Sequence, residues 1–155
     1  MEIAEIAHVQ LTVNDLQSAM PFYEKVLGFL GMRPVVRAPN GLCMIGGKTA
    51  VMITRSSEEN REVRFDERRV RLHHLCFRAR SRIDIDELHG FLLEEGVRVV
   101  HPPEEGPWAP GYYSVLFEDP EGIRLEVNFV PGKGLFEDPA ELPLTEFPGY
   151  QHYRA

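Results

Sequence analysis

Readable patterning begins at His8-Val9-Gln10-Leu11-Thr12-Val13, where Val9, Leu11 and Val13 alternate with more polar neighbours at the period of a half-buried strand. Asn14 or Asp15 is placed to cap a following helix. Leu16, Ala19, Met20, Tyr23, Val26 and Leu27 then recur at helical spacing up to Gly28, the predicted stop. Pro21 is discordant: it lacks a backbone donor and crowds the Gln17 carbonyl, so a kink or a late helix start is expected. A short apolar stretch, a Pro39-Asn40-Gly41 turn, Leu42 to Ile45, a Gly46-Gly47 turn and Ala50 to Thr54 follow, the last two segments reading as a hairpin.

Residues 55–71 carry eleven charged side chains and little apolar periodicity, and read as a solvated linker. The pattern then restarts. His74-Leu75-Cys76-Phe77 alternates as a strand, and Ile83 to Glu95 carries a helical stripe (Ile85, Leu88, Phe91, Leu92) closed by Gly96. Val97 to Val100 gives a short strand, Pro102 to Gly111 a loop, and Tyr112 to Phe117 and Ile123 to Val127 a hairpin about Asp119-Pro120-Glu121-Gly122. The same strand-helix-strand-strand-strand unit is written twice, as divergent duplication would leave it. One domain is expected: module 1 (4–54), linker (55–71), module 2 (72–130) and an extended arm (131–155). Pairing two such units covers the outer faces with helices and leaves a concave trough between the sheets, a place for small ligands.

Composition narrows the function. The 155 residues are 43% hydrophobic and 26% charged, with a formal net charge of −7 that opposes nucleic acid or anionic membrane as partner. Two cysteines, Cys43 and Cys76, fit neither a disulfide framework nor a structural zinc site, and the acidic start has no signal-peptide character. A cytoplasmic protein is expected.

Strand parity selects the chemistry. If Val9, Leu11 and Val13 face the helices, then His8, Gln10 and Thr12 face the trough, as do His74 and Cys76 in the second unit, with His73 turned to the helices. Ile123, Leu125, Val127 and Phe129 form an apolar row, which turns Arg124, Glu126 and Asn128 the other way. Leu116 is set opposite Glu126, and Ser114 opposite Asn128. Two imidazoles and a carboxylate from three strands suit a divalent cation with open positions, Fe2+ or Mn2+ by the facial two-His-one-carboxylate pattern, with Zn2+, Ni2+ or Co2+ also compatible. The alternative is that both histidines are ordinary sheet residues and Glu126 pairs with Arg124 or Arg78.

These residues resemble the glyoxalase/bleomycin-resistance/extradiol-dioxygenase group, the vicinal oxygen chelate superfamily. His8 to Val13 with Ala19, Phe22-Tyr23 and Leu27-Gly28-Phe29 is similar to its first-module signature, and Asp119 to Glu126 to its closing turn and metal-binding strand. The resemblance spans about residues 4 to 130. It implies an α+β fold of two paired βαβββ modules forming an open-barrel cleft, with a metal on His8, His74 and Glu126. Glyoxalase I and related epimerases place a fourth ligand at the position matching Ile53, so the resemblance disfavours that isomerase chemistry. Extradiol dioxygenases carry a tyrosine where Leu116 stands and a histidine upstream, neither of which is matched. Fosfomycin-modifying members share the His-His-Glu set, but their anion-binding lysine and arginine set finds no match.

The resulting expectation is a metal-dependent enzyme that chelates a small molecule through adjacent oxygens, with lyase or dioxygenase chemistry. Tyr112 and Ser114 are its catalytic candidates; Gln10, Ile53, Trp108, Leu116 and Asn128 are its substrate-binding candidates. The alternative from another class is a metal-free protein that sequesters a drug or metabolite in the trough. A Cys76 nucleophile beside His74 is a weaker reading, and a homodimer, with the aromatic arm as a pairing element, is the expected assembly.

Overall fold

The structure, a computed structural model, describes residues 6–132. The described residues divide into two compact units: the first runs from Ile6 to Asp66 and takes in Asp119–Gly122, and the second holds Glu67–Glu118 and residues 123–132. Expectations for the arm therefore fall almost wholly outside the described residues.

In the first unit, β1 (His8–Val13) and α1 (Leu16–Phe29) are followed by β2 (Arg33–Ala38), β3 (Gly41–Gly46) and β4 (Thr49–Arg55). The second repeats the order with β5 (Leu75–Arg78), α2 (Arg82–Glu94), β6 (Val99–Glu105), β7 (Tyr113–Glu118) and β8 (Arg124–Phe129). The sheets share one topology, β1-β4-β3-β2 and β5-β8-β7-β6, with the first strand of each parallel to its neighbour and the rest antiparallel. The α+β class and the doubled βαβββ unit are thus present.

Helix ends repeat as well. Asp15 caps α1 by accepting from the Gln17 N–H at 2.8 Å. Ser81 and Asp84 form a reciprocal capping box on α2, with bonds of 3.2 and 2.9 Å. Each helix then closes with a left-handed glycine, Gly31 (φ +82°) or Gly96 (φ +67°), that carries the next residue back onto the last turn. Met32 N–H donates to the Leu27 carbonyl at 2.9 Å, and Val97 N–H to Leu92 at 2.8 Å. The stop in α1 is therefore Gly31, and Gly28 lies inside the helix. Pro21 also lies inside it, and α1 starts at Leu16 without delay.

The first core joins Leu11, Val13, Leu42, Met44, Val51 and Ile53 of the sheet to Leu16, Ala19, Met20, Tyr23, Val26 and Leu27 of α1. Tyr23 is wholly buried, and its hydroxyl donates to Asp119 Oδ2 at 3.0 Å. Asp119 Oδ1 accepts the Glu121 N–H at 2.9 Å, and Glu121 accepts the Asp15 N–H at 2.5 Å, so the β7–β8 turn packs as part of the first unit.

Two expectations need correction. The short strand and Pro-rich loop after α2 are one strand, β6, which runs through Pro102 and Pro103 to Glu105. As an edge strand with two register shifts, it tolerates residues that cannot donate to a ladder. The charged linker is not wholly solvated. Glu67 Oε1 lies 3.2 Å from Nη2 of the buried Arg124, whose Nε is 3.5 Å from Glu118, and Val63 accepts a bond from Asn14 at 3.0 Å. Burying a guanidinium requires such partners.

Candidate active site

Glu126 centres the site. It lies on β8, an inner strand, and is only 2% exposed. A carboxylate so deeply placed must be met by donors. His74 Nε2 stands 3.0 Å from Oε2, and the Tyr112 hydroxyl donates to Oε1 at 2.5 Å. Burial works to raise the Glu126 carboxyl, but bonds from His74, Tyr112 and Ser114 outweigh it and hold the group below its ordinary value. Glu126 is therefore an anion at neutral pH.

Register explains how these groups meet. Cys76, Glu126, Leu116 and His101 are successive partners across β5, β8, β7 and β6, and Arg78, Asn128, Ser114 and Glu104 form the next row. The pairings of Leu116 with Glu126 and of Ser114 with Asn128 are those that parity gives. His74 lies just before β5, and His73 does too, so strand alternation does not govern His73. Its Nδ1 is instead 2.7 Å from His74 Nδ1, one nitrogen donating and the other accepting. Of the two alternative Glu126–arginine pairings, the one with Arg124 is not what the structure shows, since Arg124 turns to Glu118 and Glu67.

A pocket of about 270 Å³ opens over this face, lined among others by His101, Glu104, Trp108, Ser114, Leu116 and Glu126. Of the sequence candidates, Trp108, Ser114 and Leu116 line it with Glu126. Tyr112 sits behind, 6% exposed, with its hydroxyl donating a hydrogen bond to Glu126. Burial, the Glu126 charge and nearby Cys76 push its phenol far above the ordinary value, so Tyr112 orients the carboxylate as a neutral donor. Asn128 is buried and hydrogen-bonds Tyr112. Desolvation and Glu126 likewise push the Cys76 thiol far up, which opposes the nucleophile reading. His101 and Glu104, with Nδ1 and Oε1 3.4 Å apart, were missed because the Pro-rich segment concealed a strand.

In the first unit His8, Gln10 and Thr12 lie on the exposed face of β1, and Gln10 Nε2 donates to Thr54 Oγ1 at 3.1 Å. Ile53 does not share that face. It pairs with Leu11 and Leu42, is 0% exposed and belongs to the core packed with α1, so it is no substrate-binding residue. The β4 partners of His8, Gln10 and Thr12 are Ala50, Met52 and Thr54. The face that could supply a fourth ligand thus offers no carboxylate or amide among those three, and the absence of Glu or Gln there rests on them, not on Ile53.

The 3.0 Å between His74 Nε2 and Glu126 Oε2 matches two adjacent ligands on one ion with bonds of about 2.1 Å. His8 belongs to the other unit. Among the described residues no group of three or more His, Cys, Asp or Glu side chains is assembled to hold a metal.

Residues 5–127 match the family model of the Glyoxalase/Bleomycin resistance protein/Dioxygenase superfamily, and the chain belongs to that superfamily. It is 30% identical over 122 residues to the uncharacterized protein YqjT of Bacillus subtilis, covering 77% of this chain and 94% of that one. It is 29% identical to virulence protein STM3117 of Salmonella typhimurium, covering 83% and 85%. A crystal structure of a candidate glyoxalase from Bacillus halodurans superposes with a TM-score of 0.72 at 30% identity, over 81% of this chain and 95% of that one. A glyoxylase/bleomycin resistance protein/dioxygenase domain from Frankia sp. EAN1pec gives 0.66 at 26% identity, over 83% and 98%. Among the described residues no helix is long and apolar enough to cross a membrane.

Proposed function

We propose that this chain is a metal-dependent enzyme that takes a small molecule with vicinal oxygens and performs lyase or dioxygenase chemistry on it. The observation that carries the reading is the pairing of His74 and Glu126 at ligand spacing beside the pocket. His74 and Glu126 would hold a divalent ion, Fe2+ or Mn2+ first, with His8 as third donor. Such an ion supplies charge stabilisation to chelated oxygens. Tyr112 and Ser114 keep Glu126 ionised and oriented. Leu116 and Trp108 would supply the apolar part of the substrate seat, and His101 lines the same pocket. A cytoplasmic homodimer is part of the same reading.

Elemental analysis after reconstitution with iron or manganese tests it, on the parent protein and on His8→Ala, His74→Ala and Glu126→Ala. Stoichiometric metal in the parent and its loss in the three variants is the expected result. Near-zero metal in all four favours the second reading, a metal-free sequestering protein, which is supported by a pocket whose described lining residues all belong to the second unit.

A further inference from the structure

We propose that the pocket selects a small amine, its ammonium group directed to Glu104 and its apolar body laid against Trp108. This rests on the reading that the pocket is the substrate site, and it names that substrate's charge.

Among the described residues three carboxylates line the cavity, Glu104, Glu105 and Glu126, against one imidazole, His101, and none of those lining it is a lysine or arginine. The three are not equivalent. Glu126 is committed to His74 and Tyr112. Glu105 is held by Arg82, Nη1 to Oε1 at 2.8 Å, and the Arg82 guanidinium is itself stacked 4.0 Å from the Tyr113 ring centre. Glu104 has His101 at 3.4 Å, and its side chain is 53% exposed toward solvent. It is the carboxylate best able to meet an incoming cation. Arg78 ends the row that holds Glu104, but at the opposite edge strand and outside the pocket lining.

Trp108 supplies the other half of the recognition, an indole beside a carboxylate being a favourable seat for an ammonium or a flat ring. Gly106 makes that seat possible. A Cβ there would stand 3.0 Å from both Trp108 Cδ1 and Tyr112 Cδ1, so the missing side chain lets both rings close over the strand end. An anionic ligand would meet Glu104 and Glu105 with only the His101 imidazole among the described lining residues to receive it, which is a cost of like charges at close range.

Trp108 is the only tryptophan, so its fluorescence reports on this pocket alone. The test is a titration of metal-free protein with 2-phenylethylamine, 2-phenylethanol and 3-phenylpropanoate, which share a ring and differ in charge. The amine is expected to saturate at about tenfold lower concentration than the carboxylate, with the alcohol between, and Glu104→Gln to reduce that ratio to about twofold. Glu105→Gln should change it less. A carboxylate bound as tightly as the amine, a ratio unchanged in Glu104→Gln, or no saturable response to any probe overturns the proposal. Amine preference in protein that takes up no Mn2+ would overturn the metal-enzyme reading alone, leaving the charge selection standing.

Discussion

The Tyr112 hydroxyl donates to Glu126 Oε1 at 2.5 Å, joining the residue before β7 to the centre of β8. The phenol is a support for the carboxylate and stays protonated because burial and the Glu126 charge oppose its ionisation. Tyr112→Phe should therefore destabilise the fold by about 1–3 kcal/mol, the range for a lost bond to a buried charged group. Urea unfolding at pH 7 measures it; a midpoint equal to the parent's would mean that water replaces the phenol at no cost.

Ile53 and Met52 are neighbours on β4 that face opposite ways. Ile53→Ala should cost about 2–5 kcal/mol as a core deletion. Ile53→Glu should abolish cooperative folding, because its carboxylate would enter the apolar layer under α1. Met52→Glu, on the His8 face and half-buried, should fold and melt within a few degrees of the parent. Far-UV circular dichroism melts of the three variants decide the assignment of faces, and a folded Ile53→Glu would refute it.

Tyr23 gives the alkaline limb of stability. Burial first, and then the Asp119 charge, raise its phenol well above the ordinary value. A group with a folded pKa above the unfolded one stabilises fully below the unfolded value, about 10, and loses that contribution as pH rises beyond it. The urea midpoint should hold from pH 8 toward 10 and fall above, and Tyr23→Phe should flatten that part of the fall. At pH 7 the same variant should lose about 1–2 kcal/mol, since Asp119 is left with one fewer donor in a buried position.

Gly106→Ala should disturb the Trp108 seat. The added methyl group meets two rings at 3.0 Å, and one must give. A shift of the Trp108 emission maximum with an unchanged far-UV spectrum is expected. An emission spectrum identical to the parent's would show that the loop absorbs the methyl elsewhere.

The sequence by itself determined the elements and their doubling, because burying one face of a strand or helix imposes a period that is visible residue by residue. His8 to Val13, the stripes of α1 and α2, and the cross-strand pairing of Leu116 with Glu126 were all legible in this way. The left-handed closing of both helices was legible in type but misplaced in α1, where Gly28 and Gly31 compete and only the turn geometry chooses. Tertiary structure decided what has no period. β6 runs through two prolines because an edge strand needs no donor from them, which brings His101 and Glu104 to the pocket. Ile53 is assigned by its partners Leu11 and Leu42, a pairing that motif alignment cannot see. The fate of Glu126 was also decided there: its two oxygens are met by His74 and Tyr112, far from it along the chain, and a buried charge is governed by whichever donors folding brings within reach.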